Sequence, residues 1–133
     1  MSIYKYMPLE VGGEELRLVI LHPGAFSDPI QVSVNHAPFS ATQIPEYEAL
    51  SYVWGSTADP VIVTVVETKT QSQVGILHIG QNLASALKHL RFDAKPRTIW
   101  CDALCINQQD LTERSAEVLK MGDIYRNASR VIV

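Results

Sequence analysis

Apolar and polar positions along this chain change period several times, and each change marks an element. Leu16 to Leu21 (LRLVIL) is a β-rich run that stops at His22-Pro23-Gly24, a strong breaker. Ile30 to Val34 (IQVSV) alternates with period two, as a half-buried strand does, and should pair with the first run as an antiparallel edge hairpin. Ala49 to Val53 reads as a central strand, with Trp54-Gly55 at its carboxyl end. Val61 to Val66 and Gly75 to Ile79 predict a second hairpin across the polar loop Glu67 to Gln73. Leu83, Ala86, Leu87 and Leu90 then fall at i, i+3, i+4 and i+7, one apolar helix face, with Asn82 as the expected N-cap. Residues 1–15, turn-rich at Pro8 and Gly12-Gly13, read as a lead-in, and residues 16–133 as one domain.

The most informative stretch is Arg97 to Val133. An apolar run from Thr98 to Ile106 carries one carboxylate, Asp102, and the amides Asn107, Gln108 and Gln109 follow. Asp110 and Glu113 fit the capping box of a long helix in its Asp-capped form. Acidic residues crowd the first half of that helix, whereas Lys120, Arg126 and Arg130 come later, the arrangement the helix dipole favours. Leu111, Val118, Met121, Tyr125 and Ala128 recur on one stripe expected to pack on the sheet, and Gly122 marks a close helix–sheet approach. Val131-Ile132-Val133 opens a further β-branched strand. Strand, helix, strand implies a parallel sheet, because parallel neighbours need a long crossover.

Composition narrows the class. The 133 residues are 47% hydrophobic and 19% charged, within the range of one globular domain. A net charge of −3 argues against a nucleic-acid or anionic-membrane surface. The apolar runs are well short of the roughly 20 residues a membrane span needs. No secretory signal is visible at the N-terminus, so the expected location is the cytoplasm and the sequon at Asn127 has no consequence. Cys101 and Cys105 do not make a disulfide framework, and nothing nearby completes a metal site, so two buried thiols are expected.

Asp102 is the residue of most chemical interest. A carboxylate in an apolar run must sit at a strand end, be hydrogen-bonded, or have a raised pKa. In open parallel sheets, ligands bind at the carboxyl ends of the strands. Tyr52, Trp54, Gly55, Asp102, Asn107 and Gln108 are the candidate residues of such an edge. The competing structural readings are that Asp102 braces the turn and that Trp54 is core. Asp110, Glu113, Arg114, Met121 and Tyr125 form the helix motif beside that edge. No Gly-rich phosphate loop and no nucleophile elbow are present.

Two stretches, YEALSYVWG (47–55) and IWCDALCINQQDLTERSAEVLKMGDIYRNASRVIV (99–133), closely resemble the fungal heterokaryon incompatibility (HET) domain. NLASALKHLR (82–91) and LRLVILHPG (16–24) fit it as well. The resemblance implies a role in fungal allorecognition, where such proteins trigger programmed cell death after hyphae fuse. It also implies a distant likeness to TIR domains: an α/β fold with a mostly parallel, flavodoxin-like sheet flanked by helices, and N-terminal β-hairpin additions. Some TIR domains cleave NAD, so NAD or a related nucleotide is a possible substrate of a complete domain, with no bound cofactor. The TIR catalytic glutamate would follow Val133, so the chain is expected to be the N-terminal part of the domain and no catalytic residue is assigned. Expected partners are proteins of incompatibility signalling, including further copies of the chain; a non-catalytic adaptor and a non-functional fragment are the other readings.

Overall fold

The computed structural model describes residues 2–9, 13–56 and 58–133. Gly12, part of the turn-rich start, lies outside them. Seven strands among the described residues form one sheet: β1 (Glu15–Leu21), β2 (Ile30–Pro38), β3 (Glu48–Leu50), β4 (Val61–Val66), β5 (Gln73–Ile79), β6 (Arg97–Trp100) and β7 (Arg130–Ile132). Three helices accompany them: α1 (Gln81–Leu90), α2 (Asp102–Cys105) and α3 (Leu111–Asn127). The strand order is β5-β4-β2-β1-β6-β3-β7.

The sheet is mixed rather than mostly parallel. β2/β4, β3/β6 and β3/β7 are parallel, but β4/β5 is antiparallel. The turn from Glu67 to Ser72 is too short for a parallel crossover, so a hairpin is the only outcome. β1 and β2 are neighbours but not at an edge, because β4 and β6 flank them.

Two compact units divide the chain, and each has its own core. The first comprises Met1–Lys5, Ile20–Val34 and Tyr52–Arg97. Ile30, Val32, Val63, Val65, Ile79, Leu83 and Leu87 are buried there. Residues of the lead-in run along β5: Tyr4 N donates to Ile76 O at 2.9 Å and Ile76 N to Ser2 O at 3.1 Å. Gly75 makes this possible, since a Cβ there would lie 2.6 Å from Tyr4 Cα. Helix α1 starts one residue before its expected cap. Gly80 is the N-cap and makes no side-chain cap bond, while Asn82 lies inside the helix. The buried face is Leu83, Ala84 and Leu87, with Ala86 and Leu90 half-buried.

The second unit comprises Tyr6–Val19, Asn35–Ser51 and Thr98–Val133. Here the crossover inference holds. β6 and β7 both run parallel to β3, which lies between them, with Ala49 opposite Trp100 and Leu50 opposite Ile132. β3 ends at Leu50, earlier than the apolar run suggests. β6 likewise ends at Trp100, and residues 102–105 turn into the short helix α2. Periodicity cannot separate a buried helical turn from a strand in so short a run. Cys101, Leu104 and Cys105 are all buried, the i, i+3, i+4 pattern of a helix face.

Helix α3 departs most from expectation. Its buried residues are Glu113, Glu117 and Ile124, with Lys120 half-buried between them. The expected inner residues Leu111 and Val118 are exposed. The helix has its charged stripe inward, and ion pairs make that tolerable: Glu117 Oε2 lies 2.7 Å from Lys120 Nζ, which also donates to Glu15 O. Gly122 marks no close approach, because a Cβ there would meet nothing within 4 Å.

Candidate functional site

In the second unit, the parallel strands β6, β3 and β7 end on one edge, and the polar groups there come from three elements. Leu50 and Ser51 leave β3, Asp102 opens α2 directly after β6, and Tyr125 reaches the edge from α3. Ser51 N donates to Ile132 O at 2.8 Å, which fixes the end of β3 against β7. The Tyr125 hydroxyl donates to Leu50 O at 3.4 Å and shares a hydrogen bond with the Ser51 hydroxyl. Its ring meets Trp100 edge-on, with centroids 5.6 Å apart.

Burial raises the Tyr125 phenol above its ordinary pKa, and the Asp102 and Cys101 charges add to that, while the Ser51 bond opposes them. Tyr125 therefore stays protonated, a hydrogen-bond donor near a half-buried carboxylate. Such a pair suits a ligand with hydroxyl or amide groups. The sequence places Tyr125 on the stripe expected to pack on the sheet and singles out nothing at Ser51. Their place here depends on the crossover, which no local pattern reveals.

Asn107 and Gln108 have other duties. Gln108 Nε2 donates to the backbone oxygens of Asp102 (2.9 Å) and Ile106 (3.3 Å), and Asn107 Oδ1 accepts from Gln109 N at 3.1 Å. These bonds close the turn from α2 into α3. Asp110 caps α3 by accepting from Glu113 N at 3.1 Å. Arg114 is exposed and Met121 half-buried.

Behind that turn lies a buried charge cluster. Arg17, fully buried, donates to both Glu113 carboxylate oxygens at 2.8 and 2.9 Å, to Cys105 O at 3.1 Å and to Met7 O at 2.7 Å. Its guanidinium also lies 4.7 Å from the Tyr6 ring centre. Burial pushes the Glu113 carboxyl up, but the Arg17 bonds and charge and the Asn107 amide outweigh it and hold the pKa below the ordinary value. An arginine inside LRLVIL was the available signal for this cluster. Cys101 and Cys105 are buried free thiols, and the hydrogen bond with Cys105, followed by burial, raises the Cys101 pKa well above the ordinary range. Among the described residues, no group of three His, Cys, Asp or Glu side chains is placed to hold a metal ion. None of the helices there is long and apolar enough to cross a membrane.

Tyr52, Trp54 and Gly55 belong to the first unit. The Tyr52 and Trp54 rings stack with 6.4 Å between centroids and 7° between planes, and Trp54 is 46% exposed, so it is not core. Gly55 has φ +67°, and a Cβ there would approach Asn82 Nδ2 to 2.5 Å. Asn82 Nδ2 in turn donates to Val53 O at 3.0 Å, so the expected helix cap instead holds the aromatic segment. Arg91, just past the end of α1, is nearly buried and donates to the carbonyls of Ala25, Phe26, Asp28 and Pro29.

The sequence and this architecture define an α/β domain of one family. The profile of the heterokaryon incompatibility protein (HET) family matches residues 47–133, and the chain belongs to that family. Its similarity to a curated relative is more extensive: it is 34% identical over 137 residues to heterokaryon incompatibility protein 6, OR allele, of Neurospora crassa. That alignment takes in 98% of this chain and 20% of the relative, so the chain spans about a fifth of the length of the protein it matches. No solved structure matches the chain.

Proposed function

We propose that this chain is a heterokaryon incompatibility module of fungal non-self recognition, acting in the cytoplasm to trigger regulated cell death as an effector or signalling domain. The observation that carries the reading is the family match across residues 47–133, which takes in the parallel strands β6, β3 and β7 and their polar edge. On this reading Asp102 and Tyr125 are its contact groups, and the stacked Tyr52 and Trp54 rings offer a flat surface to a ring or an apolar side chain. The test is inducible expression in a fungal host. Wild-type protein should arrest growth, and Asp102→Ala or Trp54→Ala should restore it at equal abundance and unchanged thermal unfolding. Growth arrest by a folded Asp102→Ala, Trp54→Ala double variant would sink the assignment of these groups.

A second reading is enzymatic: a TIR-like, flavodoxin-like core that cleaves NAD or a related nucleotide. It is favoured by polar groups at the carboxyl edge of parallel strands, where such sheets take ligands. A carboxylate acceptor and a protonated phenol suit ribose hydroxyls. Cellular NAD measured during growth arrest separates the readings, since arrest at constant NAD excludes nucleotide cleavage.

A further inference from the structure

In the second unit, a surface cavity of about 410 Å³ is lined by the loop that leads from β2 into β3 and by the second half of α3. It shares no residue with the polar edge. Its volume falls in the roughly 300–1,000 Å³ range of small-molecule sites. Phe39, half-buried, and Ile44, 46% exposed, give it an apolar lining, and Glu14, Asp123 and Asn127 add polar oxygens. Phe39 is fixed in place: its N–H donates to Glu14 O at 2.8 Å, and its ring meets the buried Tyr47 ring edge-on, with centroids 6.5 Å apart. Among the described residues, Lys120 is the only cation of the lining. Its ammonium is already committed, to Glu117 Oε2 at 2.7 Å and to Glu15 O at 3.1 Å.

We propose that this cavity binds a guanidinium group carried on an aliphatic stem, the chemistry of an arginine side chain. Charge selects a cation. Two carboxylates line the cavity, whereas its one ammonium is neutralised by the buried Glu117 behind it. The remaining chemistry selects guanidinium over a second ammonium. Asp123 gives Oδ1 to Arg126 at 2.5 Å and keeps Oδ2, and Asn127 donates through Nδ2 to Asp123 O at 2.9 Å and keeps Oδ1 as an acceptor. Together with the Glu14 carboxylate, these acceptors suit a planar fork of five N–H donors. A guanidinium is also more weakly hydrated than an ammonium and stacks on aromatic faces, so it gains more beside Phe39. Ile44 provides an aliphatic wall for the stem.

Nuclear magnetic resonance titration of the 133-residue chain with butylguanidinium, and with its neutral isostere butylurea, tests the site. The expected result is saturable amide shifts at Phe39, Ile44 and Asp123, with a dissociation constant of roughly 1 mM and butylurea at least about tenfold weaker. A Glu14→Gln, Asp123→Asn variant, shown to be folded by its amide spectrum, should lose about tenfold in affinity. Arg126→Ala should tighten binding, because it releases Asp123 Oδ1 to the probe. An end-capped Gly-Arg-Gly peptide separates two sources of the group. Binding as tight as that of butylguanidinium assigns the cavity to an arginine of a protein partner, and weaker binding assigns it to a free guanidinium compound. Shifts that do not saturate, equal affinity for butylurea, or undiminished affinity in the folded double variant overturns the proposal.

Discussion

Glu113 sits nearly buried at the amino end of α3, where an ionised carboxylate is tolerable only with its oxygens engaged. Two Arg17 bonds and the Asn107 amide meet that requirement. Glu113→Gln leaves the Arg17 charge buried without its partner, and should cost about 3 kcal/mol in urea unfolding near neutral pH. The pH sign follows from the depressed pKa. The stabilisation is present above the unfolded value, about 4.3, and is lost as pH falls through the lower folded value. Wild-type stability should therefore drop on that acid limb, and the Gln variant should show less of the drop. Tyr47 makes a comparable neutral anchor. Its buried hydroxyl donates to Ile124 O at 2.5 Å, and burial raises its pKa to about 12. Tyr47→Phe strands that carbonyl and should destabilise the fold by about 1–3 kcal/mol. Asp102→Asn removes a charge that helps keep Tyr125 protonated, so the Tyr125 ionisation should move downward in an ultraviolet pH titration referenced to Tyr125→Phe.

Elements are where sequence and structure part company most clearly. The capping box at Asp110 was legible because an N-cap is local chemistry: Asp110→Ala should cost about 1 kcal/mol in thermal or urea unfolding. The facing of α3 was not legible. Its apolar residues suggested the inner stripe, but the Glu113–Arg17 ion pair and the Lys120 bond to the Glu15 backbone carbonyl hold the charged stripe inward instead. Gly122→Ala is the corresponding stability test. With no neighbour within 4 Å to clash, it should stabilise the fold by about 1 kcal/mol in urea unfolding. The strand ending at Trp100 was missed for a different reason. Apolar residues in a single helical turn satisfy strand and helix patterns equally, and the bonds from Cys105 N to Cys101 O (2.8 Å) and Ile106 N to Asp102 O (3.2 Å) separate them. The hairpin of β4 and β5 was legible because both halves are β-branched and the link is short.

At the scale of the whole molecule, the crossover from β6 through α3 to β7 was readable as parallel, while the mixed character of the sheet was only half visible. The β4–β5 hairpin already implied an antiparallel pair, but the interior placement of β1 and β2 depends on non-local pairing that no window of sequence reports. The polar edge had a similar fate. Asp102 was singled out by the cost of burying a carboxylate, yet Asn107 and Gln108 proved to brace a turn, and Tyr125 and Ser51 joined the edge only through the fold. Membership of the heterokaryon incompatibility family rests on residues 47–133, and that stretch contains both the aromatic segment and the carboxyl edge. The central claim is that the edge carries the incompatibility activity. Viability of fungal cells induced to express wild-type chain or Asp102→Ala, at matched abundance and matched thermal unfolding, tests it most directly. Loss of viability with wild type and survival with the variant is the predicted result; equal killing by a folded Asp102→Ala would contradict it.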